Sequence, residues 1–189
     1  LPEGMRARLD AMLSKDGEIV ELHEPVDITN ETNVKEWLTS LEQKMQETLA
    51  LLLDEAVKED VFNDKRKLDE DCQKMFVDWT TKFPAQIMIV ASQINWSAGV
   101  EKALQQSDAN KYLTEVLCVL EWKLGVMAKT VLLELPPDTR KKFEQIITEL
   151  VHERDVVRDL IENRVSSPSD FRWLYHLRYI SNPKAPLKE

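Results

Sequence analysis

The 189 residues, 43% hydrophobic and 31% charged, are enough to bury a core and suit one domain or one compact part of a larger chain. The formal net charge of -9 is uneven: residues 1–137 carry 15 basic against 25 acidic side chains, residues 138–189 carry 10 against 9, and no basic stripe of the kind a nucleic acid needs is present. The uncharged run 83–100 contains Pro84, Gln86, Ser92, Gln93, Asn95 and Ser97, which a bilayer would penalise, so neither a membrane span nor a signal peptide is read.

With only 4 glycines and 8 prolines, turns are few and regular elements long, which points to an all-α fold with a small β element. Residues 2–13 place Met5, Leu9, Met12 and Leu13 on one helical face, and Asp16-Gly17 then supplies a turn. Residues 18–22 and 26–28 are short, β-branched and divided by Pro25, the pattern of a small hairpin. Residues 1–32 are therefore expected to hold a short helix and a β element, and residues 33–189 one continuous helical region, an elongated stack of antiparallel helix pairs.

Asn33, with Glu36 three residues on, fits a capping box. Behind it Val34, Trp37, Leu38, Leu41, Met45, Leu49, Leu52 and Ala56 recur at helical spacing, predicting a helix to Glu59. Leu68, Cys72, Met75, Phe76 and Trp79 form the next stripe, which Phe83-Pro84 ends, and Ile87, Val90, Ala91 and Ile94 mark a helix to about Leu104. Leu113, Leu117, Leu120, Leu124, Met127 and Val131 keep a heptad seam. Tyr112, Val116, Val119, Trp122 and Val126 widen its apolar surface, so bundle packing is favoured over a coiled coil. Pro136-Pro137 ends that helix and Asp138 is placed to cap another, whose buried side is Phe143, Ile146, Ile147, Leu150, Val157, Leu160 and Ile161. Its surface pairs are expected between Arg158 and Asp155 or Glu162. Residues 166–170 then stop it and cap a last helix over residues 171–179.

Residues that would carry catalysis are scarce. Gly4, Gly17, Gly99 and Gly125 are isolated, so no phosphate-cradling loop is written here. His152-Glu153 opens like a zinc-protease motif, but Val156 stands where the second histidine belongs. Cys72 and Cys118, far apart and on apolar stripes, read as buried free thiols in a reducing compartment. No catalytic, cofactor or metal residue is assigned to the segment. Leu1 in place of an initiating methionine suggests a piece of something longer.

Five tryptophans remain, and Trp173 is the most suggestive, because Phe171, Trp173, Leu174, Tyr175, Leu177 and Tyr179 surround Arg172 and Arg178 in a nine-residue helix too short to hide all of them. Aromatics with arginine are the composition of an interface anchor; packing back onto this same domain is the alternative.

The blocks Asn33-Val34-Lys35-Glu36-Trp37-Leu38, Phe83-Pro84-Ala85-Gln86-Ile87, Ser92-Gln93-Ile94-Asn95-Trp96-Ser97 and Glu149-Leu150-Val151-His152-Glu153-Arg154 resemble, in order, successive stretches of the dynein heavy chain linker, the region preceding the first ATPase module. Pro25-Val26-Asp27-Ile28-Thr29 and the Pro136-Pro137 join look most like the cytoplasmic branch, while Tyr179-Ile180-Ser181-Asn182-Pro183 lacks the family's more aromatic ending. The resemblance implies a mechanical lever coupling ATP-driven movement of a ring of AAA+ modules to displacement along a microtubule. It implies ATP and magnesium bound elsewhere in the parent chain, dimerisation, other dynein subunits as partners, and a cytoplasmic, microtubule-associated location. It also makes Phe171, Arg172, Trp173, Arg178 and Tyr179 a candidate ring-docking interface. An α-helical scaffold or a coiled-coil interaction module is the reading without a motor.

Overall fold

A computed structural model of the chain describes residues 6–15, 17–29 and 33–180. The chain divides after Glu55 into two compact units. It is mostly helical, with one antiparallel hairpin near the start, as the long apolar periodicities require.

In the first unit, β1 (Ala7–Leu13) pairs with β2 (Ile19–Ile28). The short helix expected over residues 2–13 is thus a strand over residues 7–13; residues 2–5 lie outside the described residues. A helix this short is marginal by itself, whereas β2, rich in β-branched residues, gains a ladder of hydrogen bonds by recruiting residues 7–13 as its partner. Gly17, at φ 91°, turns the hairpin in a conformation that costs a glycine nothing, and Ser14 closes the loop by donating its N–H to Glu18 O at 2.8 Å. The register slips between Leu9, opposite Val26, and Ala11, opposite Glu21. Pro25, without an N–H, lies in the slipped stretch. The departure turns the backbone toward α1 (Val34–Glu59): His23 N donates to Thr48 Oγ1 at 3.0 Å, and Glu24 pairs with Lys44 at 2.7 Å. Leu22 and Val26 are buried beneath. Asn33 Oδ1 accepts from Lys35 N at 2.9 Å and caps α1, which ends at Glu59 as its spacing predicts. Its stripe is only partly covered, for Val34 and Leu38 stay exposed.

The second unit contains α2 (Glu70–Lys82), α3 (Ala85–Leu104), α4 (Ala109–Val131), α5 (Pro137–Glu162) and the single turn α6 (Phe171–Leu174). Asp69 caps α2 by accepting from Cys72 N at 2.9 Å, and Asp108 caps α4 by accepting from Lys111 N at 3.2 Å. α5 is not capped by Asp138. Pro136 takes the cap position and Pro137 the first helical position, where a missing N–H costs nothing, so Asp138 falls inside the first turn with its charge against the positive end of the helix. Arg140 reaches back to accept the role of a cap for α4, donating to Val131 O at 2.9 Å and Leu133 O at 3.1 Å. Lys142, largely buried, donates to Phe83 O just past the end of α2.

α4 packs along α5, with α3 against both. Leu113, Leu120 and Met127 of the heptad seam are buried in this core with Phe143, Leu150, Val157 and Leu160 of α5. Each such side chain contributes about 1.5–3 kcal/mol before chain entropy is subtracted. Across the helices Arg158 pairs with Glu121 at 2.8 Å, not with its own-helix neighbours Asp155 or Glu162; Asp155 pairs instead with Arg154. α5 stops before the polar run that was expected to stop it. Val165 N donates to Leu160 O and Arg164 N to Ile161 O, both at 3.0 Å, with Arg164 left-handed at φ 53°, a position usually given to glycine. The buried Val165 beside it offsets the strain of a side chain there.

Candidate functional site

Asp170 accepts from Arg172 N at 2.8 Å and starts α6, but the helix predicted over residues 171–179 lasts four residues. Trp173 is the reason. It is completely buried, edge-on to Trp96 of α3 with ring centroids 5.4 Å apart. Arg178 then turns back, its guanidinium 5.8 Å from the Trp173 ring and bonded to Glu101 of α3 at 3.0 Å. An anchored indole and an ion pair to a neighbouring helix outweigh the few hydrogen bonds that another helical turn would add.

This geometry splits the residues that the sequence grouped together. Trp173 and Arg178 face inward and hold the segment to α3. Phe171 is 77% exposed and Arg172 is exposed beside Asp159 at 3.8 Å, while Tyr179 is half-buried. Tyr175, part of the same aromatic group but outside the five docking candidates, has its ring 5.6 Å from that of Phe171, and with Leu174 and Leu177 it is exposed on the same segment. The signal was present as aromatics four residues apart on one turn of helix.

A second constellation lies inside the unit. Asp60 and Lys123 are both buried, with Lys123 Nζ 3.6 Å from Asp60 Oδ1. Lys123 Nζ also donates to Asn63 Oδ1 at 3.0 Å, and Asn95 Nδ2 donates to Asp60 Oδ2 and Val57 O, each at 3.1 Å. Glu153 of α5 is only 1% exposed, and among the described residues neither of its carboxyl oxygens has a hydrogen-bond partner. Burial pushes its carboxyl up to about 8; Lys123 pulls the other way, and Glu149 and Asp60 add to the rise. On the sequence Glu153 marked only an incomplete zinc motif and Asn95 a polar interruption, and nothing grouped them with Asp60, Asn63 and Lys123. The signal lay in register: Lys123 falls between Leu120 and Met127 on the buried stripe of α4, and Glu153 between Leu150 and Val157 on that of α5, opposite charges at core positions of neighbouring helices.

His152 and His176 lie with ring centroids 6.3 Å apart, and burial, then the neighbouring His152, lower the His176 imidazole. Among the described residues no group of three or more histidines, cysteines and carboxylates is placed to hold a metal, and no helix is long and apolar enough to cross a membrane. Cys72 and Cys118 are free, but Cys118 is exposed and Cys72 half-buried, because the apolar stripe of α4 turns its covered side away from residue 118. The arrangement brings together anchoring and packing groups, not a nucleophile with a base.

The chain is 40% identical over 174 residues to the cytoplasmic dynein heavy chain of Drosophila melanogaster, a match covering 90% of this chain and 4% of that one. It is 39% identical over 174 residues to the cytoplasmic dynein heavy chain of Dictyostelium discoideum, covering 89% and 4%. Against axonemal dynein heavy chain 5 of Rattus norvegicus the identity is 31% over 174 residues, covering 91% and 5%. The chain therefore spans about 4% of the length of the cytoplasmic relatives it matches. No protein-family model matches it.

Proposed function

The chain is homologous, over nine tenths of its length, to a segment of cytoplasmic dynein heavy chains, and from that premise we propose that it is a mechanical linker segment of a dynein-type microtubule motor. The homology is the observation that carries this reading. In it the segment performs no catalysis; ATP and magnesium bind elsewhere in the parent chain, whose AAA+ ring is this segment's partner. The parent dimerises, associates with other dynein subunits and works on microtubules in the cytoplasm. A lever must pass on strain without yielding locally, and the long helices α3, α4 and α5, close-packed through buried side chains, suit that role.

The face that meets the ring is, in this proposal, the exposed patch of Phe171, Arg172 and Tyr175 with Tyr179 at its edge, while Trp173 and Arg178 keep that patch in position from behind. A coiled-coil tether is disfavoured by one observation: Leu113, Leu120 and Met127, the residues it would need at its surface, are buried in the unit's own core. The test is Phe171→Ser with Tyr175→Ser in the intact motor. Losing an aromatic anchor removes about 2 kcal/mol of contact, loosening a docked element by roughly thirtyfold. ATP turnover should persist while microtubule gliding slows and uncouples from hydrolysis. Gliding at normal speed would overturn the docking role.

A further inference from the structure

Glu153 borders a small cavity of about 40 Å³ in the second unit, shared with Lys123, Asn63, Asn95 and Trp96 and walled by apolar side chains of α4. A buried carboxyl with two unpartnered oxygens is costly unless something supplies hydrogen bonds to it. Trp96 has the same need, since its buried indole N–H lacks an acceptor. Lys123 holds three donors, of which one goes to Asn63 and one is directed at Asp60. An acceptor-rich group, a donor without a partner and a cation with a donor to spare thus surround one small space.

We propose that this cavity is a structural water site, in which ordered water bridges the Glu153 carboxyl to the Lys123 ammonium and to the Trp96 indole N–H. The volume suits the ligand: a water needs about 10–15 Å³ of such space and two to four polar partners. Nothing larger than a few waters fits, and a dry, apolar filling would leave the polar groups unsatisfied. Water acts here as both donor and acceptor, giving a hydrogen to Glu153 and accepting one from Lys123 or Trp96. Access is also built. An outer groove of about 310 Å³ shares Asn63, Gly99 and Val116 with the cavity wall, and at Gly99 an added Cβ would meet nothing within 4 Å. The bridge joins Trp96 of α3, Lys123 of α4 and Glu153 of α5.

The whole 189-residue chain, labelled with ¹⁵N-tryptophan, tests this by water-selective nuclear Overhauser spectroscopy. The Trp96 indole N–H, assigned through Trp96→Phe, should show a cross-peak to a long-lived water. Glu153→Gln, which keeps the shape and the hydrogen-bonding groups, should retain it, and Glu153→Met, which fills the space with an apolar chain, should abolish it while the helical signal persists. Absence of the cross-peak in the unsubstituted chain would overturn the site, and that measurement needs no variant to fold. Its persistence in a folded Glu153→Met chain would overturn the role of Glu153.

Discussion

Two neighbouring parts of the second unit meet at Phe76 and are finished in opposite ways. On one side, Phe62, Phe76, Trp79 and Trp122 form an aromatic cluster with ring centroids 5.3–6.1 Å apart, and its one buried donor is satisfied, Trp79 Nε1 bonding to Ala56 O at 3.2 Å. On the other, Lys123 Nζ sits 5.8 Å from the Phe76 ring and begins the polar group that runs through Asp60 to Glu153. The aromatic side depends only on shape and removal from water, so it is indifferent to pH. The polar side holds together only while each charge keeps its partner and Glu153 keeps its proton. Close packing and conditional electrostatics thus adjoin in one core, and they should fail differently.

The largest effect is expected on the aromatic side. Phe76→Ala removes the ring that all its neighbours touch and should cost about 3–5 kcal/mol in denaturant unfolding, by the same amount at pH 5 and pH 8. A loss that varied strongly with pH would mean that the two sides are not separable.

Lys123→Met should cost about 3 kcal/mol or more, since it leaves Asp60 buried without its cation. The cost should grow as pH rises, because Glu153 then ionises without the one nearby positive charge that favours it. Pairing the change with Asp60→Asn should recover much of the loss. An additive double variant would show that the ion pair contributes little.

The smallest and most diagnostic effect is the pH slope itself. Glu153 is raised from 4.5 to about 8 in the folded chain. Between those values the folded state keeps a proton that the unfolded state has released, so this group's contribution to stability is complete below about 4.5, declines as pH rises and has gone by about 8. Its slope is about 1.4 kcal/mol per pH unit at most. The groups facing it are Lys123 on α4, Glu149 on its own helix and Asp60 beyond α1, so their titration must be held in common. Melting followed from pH 5 to pH 8 should fall more steeply for the unsubstituted chain than for Glu153→Gln. Parallel curves would show that Glu153 does not carry a proton into the fold.

Much of the helical part was legible from local rules, because a stripe repeating every three or four residues, a capping side chain and a proline act within a few residues of themselves. α1 is capped by Asn33 and ends at Glu59, α3 ends at Leu104, and the α4 seam packs as a bundle, all as the periodicity predicts. Two of the errors share one cause, a partner distant in sequence. Residues 7–13 have a helical apolar spacing yet become a strand because β2 supplies a ladder; the segment after Leu174 has helical spacing yet turns back because Trp173 finds Trp96 and Arg178 finds Glu101. Composition grouped Phe171, Arg172, Trp173, Arg178 and Tyr179 together, but only packing could say which of them faces inward.

The amino-acid sequence by itself determined the helical class, most of the helix limits and the resemblance to dynein heavy chains, since each is written in order and spacing along the chain. The tertiary structure alone decided that Lys123, Asp60 and Glu153 share one interior, that Trp173 is an anchor and Phe171 a surface, and that a carboxyl is driven toward its protonated form. Those properties belong to distances between helices and to exclusion of water, and neither exists until the chain has folded.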